Sequence, residues 1–126
     1  MTKRNHWIGV GLLALVCCAA AWTVAPAEEG GAKVTLQGEV LDLACWVSHG
    51  AQGAEHAKCA QACAKGGQPI GLLATDGTVY VLYASHSDAT PFQQTKEHAG
   101  TKVEITGLKA SKGGIQGLEV QSVKAL

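Results

Sequence analysis

From Val34 to Val40 apolar and polar residues alternate, the period of a strand with one face buried. Leu41, Leu43 and Cys45 carry the alternation on with the opposite parity. The pattern therefore predicts a strand that bends or bulges near Gly38 to Leu41 and serves two faces of a curved sheet. Two further strand-like runs, 70–75 and 78–83, flank Asp76-Gly77, a strong hairpin signal. A second hairpin follows, with clean alternation over 101–107, a turn at Ser111-Lys112-Gly113-Gly114, and a return over 115–123. Thr90 as N-cap, Pro91 at the first helical position and Gly100 past the end frame a short helix over 91–98, whose Phe92 plugs the floor of the sheet.

The period changes to a helical one between the first two strands. A run of Ala, Glu, Lys and Gln predicts a helix from about 53 to 65, and on it His56, Cys59 and Cys63 stand at i, i+3 and i+7. At about 100° per residue they fill a stripe roughly 60° wide, with Lys58, Gln61 and Lys65 on the opposite side, so the stripe is expected to face inward. Gly66 occupies the usual place of a left-handed terminator, and Pro69 prevents continuation. The order of elements predicts a mainly β domain. It is a five-stranded OB-like barrel with a Cys/His-bearing helix inserted after strand 1 and a short helix between strands 3 and 4.

Met1 to His6 carry two positive charges and lead into an apolar segment over 7–21, followed by Ala25-Pro26-Ala27. That is the layout of a secretory signal peptide over 1–27 with cleavage before Glu28. The apolar run is short for a membrane span of about 20 residues, which makes a retained anchor the weaker reading. Cys17 and Cys18 lack the preceding small residue that lipoprotein signals favour, and with a cleaved leader the membrane has no further role. The rest divides into a junction over 28–33 and the OB-like domain over 34–126, with the insertion at 46–67. One domain with a modest core fits that length, and the implied location is periplasmic or secreted.

Without Lys3 and Arg4 the chain keeps eight lysines, ten acids and no arginine, a net charge of −2. Nucleic-acid binding, which calls for a basic surface and arginine contacts, is not expected. Of five cysteines, Cys17 and Cys18 depart with the leader and three remain in an oxidising compartment. An odd number leaves one thiol free, paired with another molecule or bound to something.

The segments Gly38-Glu39-Val40-Leu41-Asp42 and Ala99-Gly100-Thr101-Lys102-Val103-Glu104-Ile105-Thr106-Gly107 resemble those of small exported bacterial OB-fold proteins. Cys45, His56-x2-Cys59-x3-Cys63 and Gly67-Gln68-Pro69-Ile70-Gly71 resemble a group of such proteins with a Cys/His insertion after the first strand. The resemblance implies the barrel and carries no activity with it, so function has to be argued from the site.

Two readings of that site stay open. In the first, Cys45, His56, Cys59 and Cys63, with His49 in reserve, hold a soft or borderline ion, Cu or Zn, in a carrier, a sensor or a metal-stabilised module. Its partners would be the ion and another exported protein. In the second, a disulfide from Cys45 to Cys59 or Cys63 ties the helix to the barrel, contributing about 3 kcal/mol, in a binding or interaction module without metal. Thiol redox catalysis lacks a Cys-x-x-Cys pair, and covalent haem lacks Cys-x-x-Cys-His. Ser85-His86-Ser87-Asp88 is expected to form a turn, His98 to close its helix, and Trp46 to pack in the core. The chain is not read as an enzyme.

Overall fold

A computed structural model describes residues 31–126; the leader and the first half of the junction lie outside the described residues. Five strands, β1 (Ala32–Asp42), β2 (Ile70–Ala74), β3 (Val79–Ala84), β4 (Lys102–Lys112) and β5 (Ile115–Ala125), close into a barrel in the order β1-β2-β3-β5-β4. All neighbours are antiparallel except β3 and β5. The barrel is OB-like, as its pattern of alternation predicts. No helix among the described residues is long and apolar enough to cross a membrane.

β1 reaches two partners because it is long. Ala32 to Glu39 pair with β4, Gly38 to Asp42 pair with β2, and Gly38 and Glu39 serve both. Both registers of β1 run without a shift, so the predicted bulge is absent there, and the irregularity lies instead between Thr106 and Gly107, where β4 meets β5. Gly38 makes the overlap possible, since any Cβ at that position would strike the Leu73 carbonyl.

Both hairpins form as their turn residues dictate. Asp76 Oδ1 accepts a hydrogen bond from Thr78 N–H at 2.9 Å, and Gly77 takes the left-handed φ of 85°. Gly113 and Gly114 both have positive φ, which suits the two-residue turn that joins Lys112 to Ile115. The core is a continuous apolar cluster of Val40, Ile70, Leu72, Tyr80, Leu82, Val103, Ile105, Leu118 and Val120, completed by small alanines.

Among the described residues, three α-helices decorate the barrel. α1 (Leu43–His49) corrects the strand pattern: the strand stops at Asp42, and Leu43 and Cys45 are helical. Asp42 is the N-cap, its Oδ1 accepting from Ala44 N–H at 3.0 Å, and Gly50 closes α1 with a left-handed φ of 67°. Five apolar-alternating residues cannot separate strand from helix, and here the cap decides.

A 3₁₀ turn, Ala54–His56, leads into α2 (Ala57–Lys65). The left-handed terminator of α2 is Gly67, with φ 101°, while Gly66 keeps a right-handed φ of −76°. α3 (Thr90–Lys96) begins one residue before the predicted helix, so Thr90 lies inside it and Asp88 supplies the turn that precedes it, accepting from Thr90 N–H at 2.9 Å. Phe92 packs against the core, with the Lys96 ammonium 5.0 Å from its ring centroid.

α2 also corrects the expected facing. Ala60 and Ala64 are the buried residues that join the core, and the Cys/His stripe lies on the flank of that face. Alanine has no side chain beyond Cβ, which lets the α2 backbone approach the barrel closely. Gly100, with φ 78°, meets it from the other side, where an added Cβ would lie 2.5 Å from Ala57 Cα. Gln61 Nε2 donates to the Ala99 carbonyl at 3.3 Å, so this predicted solvent-side residue is half-buried and tethers the helix. Glu39 accepts from Gly53 N–H and fixes the start of the 3₁₀ turn.

Replacing Gly100 by Ala introduces both a disfavoured φ and a backbone clash with α2. The variant is expected to lose more than about 1 kcal/mol in urea unfolding. An unchanged midpoint would show that α2 is not seated through this contact.

Candidate metal centre

The site is made where α1 and α2 come together at the end of β1. Cys45 sits in the first full turn of α1, directly after the Asp42 cap, while Cys59 and Cys63 follow each other by one turn on α2. His56 ends the 3₁₀ turn. The reversal at Asp42 is what turns Cys45 toward α2.

Two groups of potential ligands result. The Sγ atoms of Cys45, Cys59 and Cys63 lie within 4.8 Å of one another. A carboxylate oxygen of Asp42, Cys45 Sγ and a ring nitrogen of His56 form a second group with the same spread, so Cys45 belongs to both. All three thiols are free, and no sulfur pair is bonded. Tetrahedral or trigonal ligands about 2.3 Å from a common ion stand roughly 4 Å apart, so such a spread needs only small side-chain adjustments to close on a metal.

The predicted ligands thus divide. Cys45, Cys59 and Cys63 converge, His56 joins Cys45 on one side, and His49, exposed at the end of α1, belongs to neither group. Asp42 was not foreseen. Its signal lay in its position, an acidic residue one before a helix and three before a cysteine, which combines an N-cap with a place beside the thiol. Cys59 is exposed and Cys45 and Cys63 are half-buried, so the thiol group opens to solvent, whereas Asp42 is 1% exposed. The expected core position of Trp46 is only half realised, since the residue is half-buried.

Two polar atoms in this small volume are left unpaired. Asp42 Oδ2 and His56 Nε2 are buried without a hydrogen-bond partner. The Cys45 and Cys63 thiols flank the carboxylate, but a thiol is a weak donor, and neither closes a full hydrogen bond on Oδ2. A buried polar atom left in this state costs about 1–3 kcal/mol, so the fold tolerates a local penalty at the point where the donors meet.

The electrostatics follow from this crowding. Burial pushes the Asp42 carboxyl up, but the Cys45 thiol, the Ala44 N–H, the Cys63 thiol and the Cys45 N–H together outweigh it and hold the group below the usual carboxylate range. The attraction of Asp42 for its proton raises the Cys45 thiol from 9.0 to about 11, helped by burial and by the negative charges of Asp42, Cys59 and Cys63. Burial first, and then interaction with Asp42 and Cys59, raises Cys63 in the same direction. Metal-free, the cluster stores protons on Cys45 and Cys63 at neutral pH, and an ion must displace them.

No known protein family, curated protein or solved structure matches the chain.

The raised Cys45 thiol sets an alkaline limit on the metal-free protein. The folded state keeps a proton that the unfolded chain gives up above its ordinary value of 9.0, so this contribution is fully present below pH 9 and is lost as the pH rises toward 11. Urea midpoints of the metal-free protein are expected to fall over that interval, and C45S, which has no group to titrate there, is expected to fall less. Equal slopes for both proteins would contradict the assignment.

Proposed function

We propose that this chain is an exported protein that binds a soft or borderline metal ion, Cu or Zn, at Cys45, Cys59 and Cys63, and that it acts as an exchanging carrier. The observation that carries the reading is the convergence of three free sulfurs within 4.8 Å with one of them, Cys59, exposed. Three thiolates on one small volume select soft ions, and a trigonal set matches Cu(I) well. A closed structural site would bury its sulfurs, and the barrel core is complete without them. The solvent-facing side of the cluster suits ligand exchange with a thiolate of a second exported protein, the ion passing from sulfur to sulfur without change of oxidation state.

Binding converts thiols into metal thiolates and releases their protons, so apparent affinity rises with pH. Cys45 and Cys63 both hold protons at neutral pH, which gives an expected slope of at least about two decades of affinity per pH unit near pH 7. The disulfide-stapled module, the other reading of the sequence, has no bonded sulfur pair to support it.

Metal content and free-thiol count on protein recovered from an exporting host test the reading together. About one equivalent of copper or zinc is expected, with Cu(I) binding lost or weakened at least tenfold in C59S and C63S. Protein with no metal, one free thiol and a mass two hydrogens short would overturn the carrier and leave a disulfide-stapled interaction module.

A further inference from the structure

We propose that Asp42, Cys45 and His56 form a second metal station on the buried side of the thiolate cluster, sharing the Cys45 sulfur with it and taking a borderline divalent ion such as Zn(II). The inference rests on the reading that the cluster binds metal, and adds to it a station with a different donor chemistry. Among the described residues, two buried side-chain nitrogen or oxygen atoms lack a hydrogen bond, Asp42 Oδ2 and His56 Nε2. Both residues belong to the same group of three donors, which with Cys45 each offer one ligand atom within 4.8 Å of the others. Asp42 is 1% exposed and its other oxygen is already engaged by the Ala44 N–H, so Oδ2 has a fixed direction and no water-facing alternative. An ion would satisfy both orphaned atoms at once.

The two stations differ in softness. Cys45, Cys59 and Cys63 offer sulfur alone, which favours Cu(I), whereas Asp42, Cys45 and His56 offer one oxygen, one sulfur and one nitrogen, a mixed set that favours Zn(II). A carboxylate and a thiolate also neutralise a divalent cation, with the imidazole completing the set as a neutral ligand. Cys45 is common to both, so it is the position through which each ion depends on the same sulfur.

The test uses the full chain, reduced and stripped of metal, titrated separately with Cu(I) against bicinchoninate and with Zn(II) against a chromophoric chelator. D42N and H56A are expected to weaken Zn(II) at least tenfold while changing Cu(I) by less than about threefold. C59S is expected to do the reverse, and C45S to weaken both. Asn is itself a good N-cap, so D42N keeps the α1 cap, and H56A decides the question independently should D42N unfold. If D42N and H56A leave Zn(II) unchanged, or if all four variants weaken both ions in parallel, the second station is wrong while the carrier reading stands. If the unaltered chain binds neither ion, both fall.

Discussion

One buried carboxylate governs the functional end of this molecule. Asp42 ends β1, caps α1 through Oδ1 and leaves Oδ2 among the thiols. A strand that continued through Cys45 would place successive side chains on opposite faces of the sheet. The helical turn started by Asp42 instead brings Cys45 round to face α2. The same group thus terminates a strand, begins a helix and helps to raise two of the three thiols. Burying a carboxylate is tolerable only where hydrogen bonds repay the lost hydration, and the amides of Ala44 and Cys45 supply part of that compensation.

The second constraint is how the insertion is held. α2 is short, with nine residues, and isolated helices of that length are not stable in water. Its stability comes from packing, through Ala60 and Ala64 on the barrel, the close approach of Gly100 to Ala57, and the polar tethers from Glu39 and Gln61. Small residues at the contact bring backbone close to backbone, which places the flank carrying Cys59 and Cys63 at a defined height over α1. Loss of that seating would separate the thiols without touching any of them.

Much of the barrel was legible in the sequence because its turns carry their own chemistry. Asp76-Gly77 and Gly113-Gly114 permit the backbone angles that close the two hairpins, and period-two alternation does the rest. The site was legible only in part. Cys45, Cys59, Cys63 and His56 stood out by residue type, but α1 was hidden because Leu41, Leu43 and Cys45 read equally as a strand, and Asp42 was hidden because a polar residue inside an apolar run looks like a solvent position. The stripe of His56, Cys59 and Cys63 was expected to face the core, yet the alanines do so, because a tight helix-to-barrel contact selects the smallest side chain over the most chemically notable one. His49 shows the opposite error, a ligand-capable residue whose place at the end of α1 leaves it in solvent.

These features combine into an open sulfur cluster resting on a buried, under-satisfied polar base. Protons on Cys45 and Cys63 must leave before an ion binds there, and the exposed Cys59 gives that ion a way in and out. The central claim is that sulfur from these three cysteines binds the metal, and X-ray absorption spectroscopy on the full chain loaded with one equivalent of Cu(I) tests it most directly. The account predicts a copper scattering shell dominated by sulfur. A first shell of nitrogen and oxygen alone would contradict it.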